Sequence, residues 1–218
     1  MRSVIVAAAI LVLPTTSFAQ DGRAYVSAAG GFASTVDGTS GDMVGEAGVR
    51  VARNFYVFGD LGRFHNLAPS LFQPTADAAS ADFAASGLML TGSSVVPAWY
   101  TTGGIKYNLP IRSARFTPYV FTSAGVARLT PANHFTYTSG TLAGASPAVG
   151  DDVTSQLVSL GEFTQPAASS AFMWSGGGGV EVPVAGRVAV DVGYRASRIA
   201  ADTPVTAQSV TFGLGYRF

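Results

Sequence analysis

The chain has 218 residues, of which 48% are hydrophobic and only 12% are charged, and its thirteen basic and thirteen acidic residues give a formal net charge of zero. This charged fraction is about half that of an ordinary soluble domain, and the even balance excludes the basic footprint of a nucleic-acid-binding protein. Cysteine is absent, which excludes disulfides, thiolate metal sites and a cysteine nucleophile.

The N-terminal segment has the pattern of an export signal. Arg2 precedes the apolar run 4–13, and a small-x-small triplet follows at 17–19. The run is too short to cross a bilayer as a helix. We therefore predict a signal peptide over residues 1–19 and a single domain over residues 20–218.

Strict alternation of apolar and polar residues recurs along the rest of the chain. Each alternating segment is close to the length that a tilted membrane strand needs. The alternation predicts eight strands, near 23–33, 43–53, 54–64, 97–109, 115–128, 170–182, 187–198 and 206–218. In the fifth, both the face with Val120 and the face with Tyr119 have an apolar pattern, and its orientation stays open.

The connections between these strands alternate in length. Those at 53–54, 110–114 and 183–186 are short, whereas those at 34–42, 65–96, 129–169 and 199–205 are longer. Outer-membrane barrels have short periplasmic turns and long external loops. We expect the long connections to be irregular, apart from a short helix over residues 153–160 that follows two aspartates.

The C-terminal strand shows the alternation most clearly. Its large apolar residues occupy every second position back from the end: Val210, Phe212, Leu214, Tyr216 and Phe218. A Gly-rich strand, a turn with Pro183 and a strand that reads Asp-Val-Gly-Tyr-Arg precede it, between 174 and 195.

With these motifs, the chain resembles the small eight-stranded outer-membrane β-barrels, similar to the OmpA transmembrane domain and to OmpX-like proteins. The resemblance implies an all-β protein, an eight-stranded antiparallel up-and-down transmembrane β-barrel in the bacterial outer membrane. It also implies that the barrel-assembly machinery reads an assembly signal formed by Phe212, Leu214, Tyr216 and Phe218.

The lumen of such a barrel is just wide enough for side chains. Inward positions of the strands carry four acidic and four basic residues: Glu46, Asp60, Glu181 and Asp191 with Arg50, Lys106, Arg195 and Arg217. A dehydrated charge needs a partner, so we expect a plugged polar lumen with a network of salt bridges. Within it we expect Glu46, Arg50, Asp191 and Arg195 to be coupled.

The outer ends of the strands carry the remaining candidate contacts. Arg63, Arg128 and Arg198 fall where the outer-leaflet headgroups lie, and guanidinium groups suit the phosphates of lipopolysaccharide. The two histidines, His65 and His134, lie where strands enter the long connections. Catalysis there needs a hydroxyl and a carboxylate beside them, for which Ser70 or Ser139 with Asp77 or Asp82 are candidates.

These observations favour a structural or surface-interaction protein that acts through its external loops. The alternatives are a narrow pore or a carrier of small or apolar solutes and, third, a lipid-modifying enzyme. We expect no catalytic residues, cofactor, metal site or nucleic-acid partner. The expected partners are outer-membrane lipid, lipopolysaccharide and the barrel-assembly machinery, and the partner of the external loops is not identified.

Overall fold

The computed structural model describes residues 23–111, 116–144 and 146–218. Within them the chain forms ten β-strands and two α-helices, with a 3₁₀ helix at Pro69–Leu71. The elements are β1 (Ala24–Thr35), β2 (Gly38–Ala52), β3 (Phe55–Phe64), α1 (Gln73–Ala85), β4 (Met89–Val95), β5 (Ala98–Asn108), β6 (Thr117–Leu129), β7 (Ala132–Ser139), α2 (Thr154–Ser159), β8 (Ser169–Ala185), β9 (Val188–Ile199) and β10 (Val205–Arg217).

Eight of these strands close into an antiparallel barrel in the order β1-β10-β9-β8-β6-β5-β3-β2, which confirms the predicted fold class. From Gly30, the row of cross-strand partners can be followed round the barrel in both directions. It reaches β8 at Ser170 in one direction and at Val180 in the other. These two positions differ by ten, which is the stagger of the closed sheet. Such a stagger tilts the strands by about 35–45° and leaves a lumen that side chains fill.

Side chains of each barrel strand alternate between the lumen and the outer surface. On β6, whose orientation the sequence left open, Tyr119 and Ser123 are buried in the lumen, while Val120 and Val126 are nearly half exposed outside. Only the latter pair therefore belongs to the outer surface. Glycines give the interior tyrosines room: a Cβ at Gly62 would overlap the ring of Tyr100.

Two predicted connections differ from those of the structure, and a third lies partly outside the described residues. The segment 34–42 is not a long loop, because β1 and β2 pair as far as Thr35 and Gly38 and leave only a two-residue turn. The turn expected at 183–186 lies at 186–187, because β8 continues to Ala185 through a register shift. Part of the connection 110–114 and the signal peptide 1–19 lie outside the described residues.

The two longest connections are folded, which corrects the expectation of irregular loops. Strands β4 and β7 pair with each other outside the barrel. They continue the β5–β6 hairpin, since Val95 pairs with Ala132 and, after Val96 and Pro97, Ala98 pairs with Leu129. We call residues 65–96 and 130–168, apart from 145, the external module, and the barrel end beneath it the outer end. The opposite end, near Ala24 and Arg217, is the inner end.

The external module has an apolar core of its own. Five buried residues form it, and side chains of α1 and of the segment after α2 pack against them. The buried residues are Leu88, Phe135, Leu142, Val153 and Leu157. The sequence predicted α2 but not α1.

Helix α1 has recognisable sequence features: a proline in its first turn and an alanine-rich body. The side chain of Gln73 fixes the start of α1 to β4, donating to the carbonyl of Gly92 at 2.9 Å and accepting from the N–H of Ser94 at 3.0 Å. Neither α1 nor any other helix of the described residues is both long and apolar enough to cross a membrane.

Candidate functional site: the lumen and the outer end

Lys106 is the centre of a charge network in the inner half of the lumen. Its Nζ lies 2.8 Å from Oε1 of Glu46 and 3.4 Å from Oε1 of Glu181. The ring centroids of Tyr25 and Tyr119 lie 4.4 and 4.5 Å from Nζ. The residue is only 5% exposed, so its charge depends on these partners rather than on water.

Further hydrogen bonds extend this network to the inner rim. Tyr25 donates its hydroxyl to Glu46, and Arg217 pairs with the second oxygen of Glu181. The Tyr119 hydroxyl donates to Oδ2 of Asp191 at 3.0 Å. A cavity of about 50 Å³ lies between these groups, which is room for a few water molecules at most.

A second ion pair lies nearer the middle of the lumen. Nη2 of Arg195 is 2.6 Å from Oδ2 of Asp60, which is 4% exposed. The other carboxylate oxygen of Asp60 accepts from the hydroxyl and the N–H of Thr102, at 2.5 and 3.1 Å. The Arg195 guanidinium also lies 5.1 Å from the ring centroid of Phe121. This pair therefore joins β3, β5, β6 and β9 across the lumen.

Three of the four residues expected to be coupled, Glu46, Asp191 and Arg195, line one cavity but hydrogen-bond to different partners. Glu46 pairs with Lys106, Asp191 with Tyr119, and Arg195 with Asp60. Arg50 lies half-buried at the inner end of β2, where its backbone N–H donates to the carbonyl of Arg23. Alternation identifies an inward position, but the stagger of the barrel decides which inward positions face each other.

The outer half of the lumen is filled mainly by apolar side chains, although Asp42, Ser197 and Ser209 are also buried there. A continuous buried cluster occupies most of it and includes residues of the external module that lie next to the barrel. We call this cluster the outer plug: Ala33, Phe64, Leu67, Ala68, Val96, Ala98, Tyr100, Ala127, Leu129, Met173, Ile199, Val205 and Ala207. The lumen is thus charged at its inner end and closed by packed apolar side chains at its outer end.

The external module contains one histidine–carboxylate pair. Nδ1 of His134 lies 3.0 Å from Oδ2 of Asp152, and Oδ1 of Asp152 accepts from the N–H of Thr154 at 2.9 Å. Burial raises the pKa of Asp152, but the hydrogen bonds from Thr154 and His134 outweigh it and hold the pKa below the ordinary value. Ser93 is the partner of His134 across the β4–β7 ladder.

The other candidates for chemistry at the histidines have different partners. Ser70 donates to Asp37 at 2.6 Å, and Asp77 accepts from Gln73 at 2.8 Å. The backbone N–H of His65 donates to the carbonyl of Gly41. Among the described residues, no group of three or more histidines and carboxylates could hold a metal ion.

The three outer arginines and the C-terminal strand both lie on the outer surface of the barrel. Arg63, Arg128 and Arg198 are exposed near the outer ends of β3, β6 and β9. The alternate residues of β10 are 40–62% exposed: Phe212, Leu214, Tyr216 and, just beyond the strand, Phe218. The N–H of Phe218 donates to the carbonyl of Ala24 at 2.9 Å, which holds the C-terminus against β1.

A closed barrel with charges inside and large apolar side chains outside is the reverse of a soluble protein. Its exterior carries exposed residues such as Met43, Leu61, Ile105, Phe172 and Phe212. Closure pairs all barrel strands, so no strand edge is left toward lipid. The fold and the distribution of charge therefore define a transmembrane β-barrel.

The chain belongs to the family of the outer membrane protein beta-barrel domain, whose family model matches residues 5–218. Membership places the protein in the bacterial outer membrane. No curated protein matches the sequence.

Solved structures that resemble this chain include Neisserial surface protein A, with 18% identity and a TM-score of 0.55 over 91% of this chain and 98% of that one. Ail, the attachment invasion locus protein of Yersinia pestis, solved with the heparin analogue sucrose octasulfate, is 13% identical, with a TM-score of 0.45 over 90% and 99%. The outer membrane enzyme PagL is 14% identical, with a TM-score of 0.41 over 89% and 99%. At these identities the likeness extends to the fold alone.

Proposed function

We propose that the protein is a sealed outer-membrane barrel that presents the external module at the cell surface for interaction, and that it does not conduct solutes. The observation that carries this proposal is the filling of the lumen along its length. The ion pairs of Lys106 and Arg195 occupy the inner and middle parts, and the outer plug closes the rest. A conducting path would require both to open.

The external module supports the second half of the proposal. It has a buried core, a two-stranded sheet and two helices, so it offers a fixed surface rather than a set of mobile loops. Asp37 in the β1–β2 turn holds Ser70 through its hydroxyl and its N–H. The module is therefore joined to the barrel both through β5–β6 and at a second point.

Planar-bilayer recording on the refolded protein tests the sealed lumen. We expect no single-channel steps from the wild type. A matched variant, Phe64→Ala with Leu129→Ala, removes two large side chains of the outer plug and provides a comparison in the same barrel. Regular conductance steps from the wild type would overturn the proposal in favour of the pore.

Surface interaction is tested with a trimmed barrel in which short turns replace the external module. Cells with equal barrel levels are compared for aggregation and for adherence to epithelial monolayers. Loss of either property on trimming supports the proposal. Indistinguishable cells in both assays count against it.

Lipid contacts and assembly are also part of the proposal. We propose that the exposed apolar residues of β10 and Phe218 are the surface that the assembly machinery recognises, and that Arg63, Arg128 and Arg198 contact lipopolysaccharide. The positions of these side chains on the lipid-facing surface support both statements.

An enzyme is the second candidate function, because His134 is hydrogen-bonded to Asp152 and stands opposite Ser93. That order of hydroxyl, imidazole and carboxylate is the order of a catalytic triad. All three groups are substantially exposed, which is a poor setting for stabilising a charged intermediate. Labelling of the protein by a fluorophosphonate, lost in both Ser93→Ala and His134→Gln, would favour this candidate.

A further inference from the structure

Both tryptophans of the chain lie beside the three outer arginines. Trp99 stands between Arg63 and Arg128 in one paired row, and Trp174 pairs directly with Arg198. The Arg63 guanidinium lies 5.5 Å from the ring centroid of Trp99. All five side chains are exposed on the outer surface, so cations and indole rings alternate along the lipid boundary.

These residues cover an arc of five of the eight barrel strands rather than a complete ring. They lie on β3, β5, β6, β8 and β9, which are consecutive neighbours. On the remaining strands, the outer halves expose apolar groups such as Met43 and Phe32. We call the set Arg63, Trp99, Arg128, Trp174 and Arg198 the cationic arc.

The arginines of the cationic arc lack an acidic partner within the part of the chain that the structure describes. Among the described residues, none of its arginines forms an ion pair with a carboxylate. The external module above the arc carries Asp77, Asp82, Asp151, Asp152 and Glu162 and no lysine or arginine. The acidic module repels an anion that approaches from the aqueous side. An anion held at the membrane surface approaches the arginines from the lipid side and avoids the module.

The surface beneath the arc suits acyl chains. Four residues inward from Arg63, Trp99 and Arg128 lies a paired row of small residues, Ala47, Gly59, Gly103 and Ala124. A Cβ at Gly59 or Gly103 would meet nothing closer than 3.8 Å, so internal packing does not require glycine there. The outer surface thus carries only small side chains along this row as far as Trp174, which pairs with Ala124.

We infer that the cationic arc binds one phosphorylated glycolipid of the outer leaflet, with a phosphate on each of Arg63 and Arg128 and a sugar ring against Trp99. One strand, β5, lies between the two arginines, so two inter-strand spacings separate them, about 10 Å. A disaccharide with a phosphate at each end spans a comparable distance. Guanidinium groups bind phosphates with two hydrogen bonds, and indole faces suit sugar rings. This inference rests on the lipopolysaccharide contact proposed above.

The test uses the full-length protein in nanodiscs of phosphatidylcholine, with lipid retention measured by native mass spectrometry. The probes are lipid A with both phosphates, the same lipid with both phosphates removed, and phosphatidylglycerol. Quenching by brominated acyl chains reports contact at the arc, because both tryptophans belong to it. Trp174→Phe leaves Trp99 as the single reporter.

The protein should retain the phosphorylated lipid at least tenfold more strongly than either other probe. Arg63→Gln with Arg128→Gln should abolish this preference, since each charge-assisted contact is worth roughly tenfold. The control is Arg187→Gln, which removes an exposed arginine from a turn at the inner end and should change nothing.

Three results would overturn the inference: equal retention of the dephosphorylated lipid, equal retention of phosphatidylglycerol, or an unchanged preference in the double variant. Unheated gel migration shows whether each variant is folded. The outcome is independent of the bilayer recordings, so a failed lipid site is distinguishable from a conducting lumen.

Discussion

Replacing Arg195 by Met tests whether the middle of the lumen is dry. The change leaves the carboxylate of Asp60 buried without its cation. At the 2.6 Å separation of the pair and an effective dielectric constant of about 20, the lost attraction is about 6 kcal/mol before desolvation is counted. Removing one partner of a buried pair costs about 3–5 kcal/mol in net terms, and we expect a loss in this range.

The free energy of unfolding is measured by urea titration in short-chain phosphatidylcholine vesicles, followed by tryptophan fluorescence. Asp60→Asn should cost a similar amount, because it leaves the guanidinium of Arg195 unpaired. The double variant should lose clearly less than the sum of the two single losses. Arg217→Met is the control, since the side chain of Arg217 is 36% exposed and should contribute about 1 kcal/mol or less.

Two outcomes would refute the reasoning. The first is a loss for Arg195→Met no greater than that for the partly exposed control Arg217→Met. The second is strict additivity of the two single losses, because independent charges are charges that water solvates. Either result would mean that the middle of the lumen is hydrated and would strengthen the case for a pore.

Three further tests address separate parts of the structure. Deletion of Phe218 should lower outer-membrane levels in cells while sparing folding into detergent, and normal levels would remove the argument for an assembly signal. Gly62→Ala should cost about 1–3 kcal/mol, because it displaces the ring of Tyr100, whereas Gly103→Ala, with open space outside, should be close to neutral. Because the pKa of Asp152 is lower in the folded chain, its stabilisation is complete above the unfolded value of about 3.9 and is lost as the pH falls through the folded value. Hydrogen exchange in the external module should therefore rise at that pH in the wild type, and Asp152→Asn should remove the dependence.

The sequence predicted the barrel itself well, because the barrel follows from local alternation. A strand with one face in lipid and one in the lumen has to alternate along its length. On β5, Trp99 and Ile105 face outward and Tyr100 and Lys106 inward, and each can be assigned from its neighbours in sequence alone. β6 lacked this contrast, because its lumen face carries aromatic side chains such as Tyr119.

The partners across the lumen could not be predicted in the same way. Arg195 and Asp60 are 135 positions apart, and whether they meet depends on the stagger of the closed sheet. The outer plug was missed for a related reason. Residues such as Ala127 and Leu129 continue the inward face of their strand, but alternation does not show where polar filling changes to apolar filling.

The external module escaped prediction because its signals are short. β4 has seven residues and β7 has eight. A proline lies at each junction with the barrel, Pro97 between β4 and β5 and Pro131 between β6 and β7. These prolines indicate an end of the hairpin, whereas the structure continues the same pairing beyond them. The contact between His134 and Asp152 could therefore not be predicted, because Asp152 lies in a segment that the sequence placed in a loop.

The position of Lys106 makes the folded protein unreactive toward side-chain amine reagents. It is the only lysine of the sequence and is almost completely enclosed in the lumen. An amine-selective ester can reach it only when the barrel opens, so the rate of acylation at this one atom counts opening events. The acylation rate of Lys106 thus measures how often the barrel opens in an intact membrane, and no label has to be introduced for the measurement.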